Sequence, residues 1–157
     1  MKKLIFLAGL YCLQPIVHAA SNVPAAMHKI APVSAYDRAK AHFNANYAGA
    51  KDATWFNLPN NEMYCTFHDG KVISRVFYNS RGYWQYTLLS YPGSGLSIDL
   101  KHRIQDNFDS YHISYVNEIR SEKSDPVYVV NLENDSHIKI VKFAGDEIEV
   151  QQELYKE

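Results

Sequence analysis

Two stretches of the chain carry apolar residues at helical spacing, and a series of short alternating segments follows each of them. In the first stretch Tyr36, Lys40, Phe43 and Tyr47 recur in step, with Ala39 beside them. Three of those four are aromatic, so one helix face is apolar. Ser34 is placed to cap this helix, Asp37 follows three residues later in a near capping-box pattern, and Gly49 ends it. The alternation then predicts strands over 53–58, 62–68, 71–78 and 83–89. Pro59-Asn60-Asn61, Asp69-Gly70 and the stretch from Asn79 to Gly82 supply the turns between them.

Tyr91-Pro92-Gly93-Ser94-Gly95 reads as a linker, and after it the pattern restarts. Ser97 is positioned to cap a second helix, in which Leu100, Ile104 and Phe108 share a face at four-residue steps. Strands are predicted over 111–119, 127–133, 138–143 and 147–150. Asn134-Asp135-Ser136 takes the place of Asp69-Gly70, and Gly145 that of Gly82. Asn46-Tyr47 matches Asn107-Phe108, Tyr64 matches Tyr128, and Ile73, Val76 and Tyr78 match Ile138, Val141 and Phe143. The expected fold is therefore α+β: a tandem repeat of two helix-plus-antiparallel-strand units forming one curved sheet with the helices on one face.

The start of the chain changes the picture of where this domain works. Lys2 and Lys3, an apolar run from Leu4 to Leu13, Pro15 and the small residues to Ala20 form a signal-peptide pattern over residues 1–20. The apolar run is about ten residues, half of a bilayer span, so the mature form is expected to carry no membrane span. Cleavage near Ala19 or Ala20 predicts a periplasmic or secreted protein. Residues 21–32, with two prolines and few core-type residues, read as a flexible leader. The domain occupies 33–155, with unit one at about 33–90 and unit two at about 96–151. Tyr11 before Cys12 is unlike the small residue that a lipid-anchored cysteine needs. Cleavage removes Cys12 and leaves Cys65, which lies in the apolar run Met63-Tyr64-Cys65-Thr66-Phe67 and reads as a buried structural thiol.

Formal net charge is −1 over 157 residues. Without Lys2 and Lys3 the 16 basic residues fall to 14 against 17 acidic, giving −3. Such a balance gives no electrostatic footprint for nucleic acid.

From Val33 to about Val150 the chain resembles the PepSY-like proteins, also called β-lactamase-inhibitor-like, secreted by Bacteroidetes. The likeness rests on a helix ending in Phe43 and Tyr47, then Ala53-Thr54-Trp55, the run Tyr64 to Phe67, the Asp69-Gly70 turn, and Val76 to Tyr78 before Gly82-Tyr83-Trp84. Leu96-Ser97 to Phe108 and Tyr111-His112-Ile113 continue it in the second unit, which departs from the first in having no tryptophan. The resemblance implies tandem α/β units in one curved sheet, with no cofactor and no catalytic residues. The inhibitor-like label describes a fold, which does not fix a function.

Candidate chemistry is sparse. His102 and Asp106 lie one helical turn apart, with Asp99 one turn the other way, but Lys101 and Arg103 interleave, as on a solvated helix face. His68 adjoins the Asp69-Gly70 turn and reads as a solvated turn histidine; a His-Asp pair such as His68 and Asp69 is what the competing expectation, a small periplasmic enzyme with a His/carboxylate pocket, would use. Gly93-Ser94-Gly95 lacks nucleophile-elbow spacing. Glu147 and Glu149 alternate with Ile148 and Val150 as on the wet side of a strand. No metal or cofactor is expected. Tyrosine stands out instead. Alternation puts Trp84 with Tyr86 on one face, and Tyr111 with Ile113 and Tyr115 on one face. The expectation is a non-catalytic binding or inhibitory module whose face of Trp84, Tyr86, Tyr111 and Tyr115 docks a loop or peptide of another exported protein. Self-association along edge strands is the competing expectation for a scaffold.

Overall fold

The computed structural model describes residues 32–156, so the predicted signal peptide, and all but the last residue of the leader, lie outside the described residues. Helix α1 (Ala35–Asn46) precedes β1 (Lys51–Asn57), β2 (Met63–Asp69), β3 (Val72–Tyr78) and β4 (Trp84–Pro92). Helix α2 (Ile98–Asn107) precedes β5 (His112–Ser121), β6 (Val127–Glu133), β7 (His137–Ala144) and β8 (Glu147–Tyr155). The strands form one curved antiparallel sheet in chain order, which leaves β1 and β8 as its edges. Antiparallel neighbours need no crossover, so short turns and loops join neighbouring strands except β4 and β5, between which α2 is inserted.

Local chemistry sets the helix ends. Ser34 Oγ accepts the Asp37 N–H at 3.0 Å and starts α1 as expected. Ser97 occupies the corresponding position of α2 but makes no side-chain cap bond. Gly82, at φ +79°, turns the chain directly beneath the start of α1, and a Cβ there would overlap the Ala35 carbonyl. The Arg38 side chain donates to the Arg81 carbonyl of the same turn and holds helix and hairpin together.

Both helices pack on the same face, each over its own core. Ala39 and Phe43 of α1 pack on Met63, Cys65, Phe67, Val76 and Tyr78 of the sheet. Leu100 and Ile104 of α2, with Leu96 before it, pack on Val116, Val130, Leu132, Val141 and Phe143 of the sheet, joined by Tyr91. Cys65 is fully buried, and burial pushes its thiol up to about 11. Tyr91 explains a difference from the sequence reading. The expected linker begins inside β4, because Tyr91 is a core residue paired with Val116. Likewise β8 runs past residue 150, with Leu154 still paired to Ile138.

Four strand pairs shift register. In β4, Phe77 faces Tyr86 while Tyr78 faces Trp84, so Gln85 is an extra, bulged residue. In β5, Ile113 faces Leu132 while Tyr115 faces Asn131, so Ser114 is extra. Similar shifts occur in β1 between Lys51 and Thr54, and in β8 opposite Ile140 and Val141. A bulge bends its strand and reverses the face of the residues on its far side.

Candidate functional site

Those bulges divide the four aromatic residues expected to form one face. Trp84 points to the helix side, where its ring stacks on His42 at 5.9 Å and its indole N–H donates to Thr87 at 3.1 Å. Tyr86, beyond Gln85, points to the opposite, uncovered face. Tyr111 precedes β5 and packs with Phe108 and Ile113 against the core under α2. Tyr115, beyond Ser114, returns to the uncovered face. The expectation that Trp84 shares a face with Tyr86, and Tyr111 with Tyr115, is therefore corrected: strict alternation fails wherever a strand takes an extra residue.

What the uncovered face holds is a row of four rings, one from each of the first four strands. Phe56 pairs with Tyr64, Tyr64 with Phe77, and Phe77 with Tyr86. Successive ring centroids lie 4.9, 5.2 and 4.5 Å apart, with interplanar angles of 14°, 24° and 19°. Such offset stacks use up the ring faces, so the row offers solvent its edges and the Tyr64 and Tyr86 hydroxyls. Burial raises the Tyr86 phenol, and the Glu62 carboxylate adds to this. At the far end Phe56 stands on an edge strand and is 42% exposed.

One row further along the sheet, Thr66, Arg75 and Leu88 face one another on the same uncovered side. Arg75 is half-buried, yet it makes no ion pair or side-chain hydrogen bond among the described residues. A partly desolvated guanidinium beside a plane of aromatic side chains is a typical anchor in protein recognition. Beyond Tyr86, a shallow cavity of about 470 Å³ is lined by Trp84, Gln85, Tyr86, Ser121, Glu122 and Lys123.

The fold is one already seen in Bacteroides. The crystal structure of a BLIP-like protein from Bacteroides fragilis matches with a TM-score of 0.62 at 10% identity, over 76% of this chain and 86% of that one. A DUF2874 family protein from Bacteroides ovatus matches at 0.60 and 14% identity, over 75% and 85%. A protein from Bacteroides eggerthii, described as a putative periplasmic protein, matches at 0.59 and 11%, over 76% and 87%. No family model and no curated protein matches the sequence. At these identities the likeness to BLIP-like structures carries the fold alone. No helix among the described residues is long and apolar enough to cross a membrane.

The remaining candidates occupy other places on this BLIP-like frame. His68 and Asp69 line a cavity of about 360 Å³ with Tyr47, Gly49, Ala50 and Phe67, and no further titratable acid or base of the His or carboxylate type joins them there. Among the described residues no group of three His, Cys, Asp or Glu gathers as a metal-binding cluster, which leaves His102, Asp106 and Asp99 without a converging partner. Glu147 and Glu149 both face Lys142, at 3.9 and 3.2 Å. On the helix side, two polar networks are satisfied internally. His42 Nδ1 meets the Tyr78 hydroxyl at 3.1 Å, while Glu118, 5% exposed, accepts from Tyr91 at 2.7 Å and from Arg120 at 2.5 Å.

Sequence reasoning missed Phe56, Tyr64, Phe77 and Arg75. The signal was present in part: Tyr64, Phe77 and Arg75 alternate with core residues of β2 and β3, and Phe56 follows Trp55, which packs against the core. Finding the row required the register between strands, which alternation within a strand does not supply.

Proposed function

We propose that this chain is an exported, non-catalytic binding module of the PepSY-like kind, made by tandem repetition of one helix-plus-four-strand unit. Its uncovered face takes an extended, acidic and apolar segment of another exported protein. The carrying observation is the stacked row Phe56–Tyr64–Phe77–Tyr86 with the half-buried Arg75, which has no charged partner among the described residues, beside it. The rings supply preorganised apolar area with little side-chain entropy left to lose, and the guanidinium supplies a fixed fork for a carboxylate. That combination selects a partner segment carrying Asp or Glu next to an apolar residue.

Repetition is supported by details that the two units share. Tyr47 and Phe108 end their helices with the same bond, to Phe43 and Ile104, each 2.8 Å. Asn46 and Asn107 each donate back to the residue four earlier, His42 and Arg103, at 2.8 Å. The first and fourth strands of each unit are the ones involved in register shifts.

The test is capture from the source organism's own envelope extract, with the exported form as bait. Tyr64→Ala/Tyr86→Ala and Arg75→Gln baits run beside wild type, and Trp84→Phe on the helix side is the control. Circular dichroism checks each fold. A protein retained by wild type and the control, but lost from both face variants, supports the reading and names the partner. A protein retained equally by every folded bait places the binding surface elsewhere. No retained protein at all argues against a stable protein partner.

A further inference from the structure

The two edges of the sheet are built differently. β8 carries Glu147, Glu149 and Glu153 along its length, and Lys142 and Lys139 reach out to them. Charges of this kind protect an edge against pairing, and two copies of β8 laid side by side would oppose acidic strands. The outer part of β1 has no such protection. From Thr54 through Trp55 and Phe56 to Asn57, with Leu58 following directly after the strand, it contains no ionisable side chain and no proline. It is also apolar on both sides. Tyr36, 43% exposed, covers Trp55 on the helix side with ring centroids 5.4 Å apart, and Phe56, 42% exposed, ends the aromatic row on the other side.

We infer that β1 pairs with β1 of a second copy of this chain, antiparallel, about a two-fold axis at Phe56. In an antiparallel pair, directly opposed residues share a face. An axis at Phe56 therefore sets Phe56 opposite its own copy and Trp55 opposite Asn57, with Thr54 facing Leu58 just past the strand end. No like charges meet. Opposed Cβ atoms in such a pair lie roughly 4.5–5.5 Å apart. The ring centroids already in the row are separated by 4.5 to 5.2 Å. The second Phe56 would thus continue the stack at its existing spacing, onto the Phe56 ring face that β2 does not cover. The two rows would become one, running through a continuous sheet shared by both copies. The contact is isologous and closes at two copies. It concerns the edge and stands or falls separately from what the uncovered face binds.

Sedimentation velocity over a concentration series tests this on the exported form. Wild type is expected to shift from monomer to dimer as concentration rises. Phe56→Lys, which sets two ammonium groups across the axis, is expected to raise the dissociation constant at least ~tenfold, the equivalent of about 1.4 kcal/mol. Val150→Lys on β8 is expected to leave it unchanged. A second route avoids reliance on one variant: Phe56→Cys, oxidised mildly, should give a covalent dimer, because its own copy lies opposite and Cys65 is buried. Val150→Cys should not. The inference fails if wild type stays monomeric throughout, if folded Phe56→Lys dimerises as tightly as wild type, or if the cross-link forms from β8 rather than from β1.

Discussion

Phe77 sits in the middle of the aromatic row, 5.2 Å from Tyr64 and 4.5 Å from Tyr86. Phe77→Leu keeps an apolar side chain of nearly equal bulk and removes the two ring stacks. Each stacked pair contributes about 0.5–1.5 kcal/mol beyond area burial, so the variant should lose about 1–3 kcal/mol. With a urea dependence of about 1–3 kcal/mol per molar, the midpoint should fall by roughly 1 M at unchanged slope. A double-mutant cycle makes the reasoning sharper. Phe77→Leu with Tyr86→Leu should show a coupling of about 0.5–1.5 kcal/mol, since these rings touch. Phe77→Leu with Phe56→Leu should add within about 0.5 kcal/mol, since Tyr64 stands between them. Equal couplings for both cycles, or none for the touching pair, would show that the row is a coincidence of register and not a packed unit.

The helix side supports four further predictions. Cys65 should resist alkylation in the native protein and react fully in denaturant, because burial removes access and raises its thiol to about 11; mass spectrometry after a labelling pulse checks this. His42 has its pKa lowered by desolvation in the fold, so the unfolded chain takes up the proton first. Its contribution to stability is complete above the ordinary value of 6.5 and is lost as pH falls through that value toward the lowered folded one; thermal melts of wild type and His42→Gln across that range should converge toward acid. Gly82→Ala should cost more than the about 1–2 kcal/mol of a left-handed non-glycine residue, since its Cβ meets the Ala35 carbonyl. Gly145→Ala, also left-handed but in open space, should cost only that backbone amount, and urea midpoints of the pair compare them. Glu118→Ala should lose about 1–3 kcal/mol by leaving the Tyr91 hydroxyl buried without its acceptor, and Glu118→Gln should recover part of it.

The large features were legible because each rests on a local signal. Ser34, Phe43 and Tyr47 mark α1, and Leu100, Ile104 and Phe108 mark α2. Asp69-Gly70 and Gly145 close hairpins, with positive φ at both glycines. The sheet with helices on one face follows from strands that are apolar on alternate residues. What alternation could not supply was an extra residue inside a strand. Gln85 and Ser114 carry no glycine or proline mark, and nothing in their neighbours announces a bulge. Each one turns an aromatic residue from one face to the other: Trp84 inward under α1, and Tyr111 inward under α2. The end of β4 was misread for a different reason. Pro92, Gly93 and Gly95 dominate the segment by composition, while Tyr91 holds its place by packing against residues far away in sequence.

The same bulges decide what the uncovered face offers a partner. With Trp84 and Tyr111 turned to the helix side, Tyr86 and Tyr115 remain on the uncovered face, half-buried and in different settings. Tyr86 belongs to the stacked row. Tyr115 lies beside Pro92 and Asn131, outside that row. The aromatic area is therefore polarised toward β1 to β4, which carry the four rings and Arg75. On the second unit the same face is composed largely of Asn117, Ile119, Val127, Val129 and Lys142. If the units arose by repetition, the first acquired an aromatic row on its outer face and the second did not. A partner that reads this row should be lost on changes in the first unit and be indifferent to Tyr115→Ala. Binding of the captured partner to that single variant separates a polarised site from one spread over the whole sheet. Equal affinity supports the row, and a loss comparable to that of Tyr64→Ala/Tyr86→Ala would extend the site across both units.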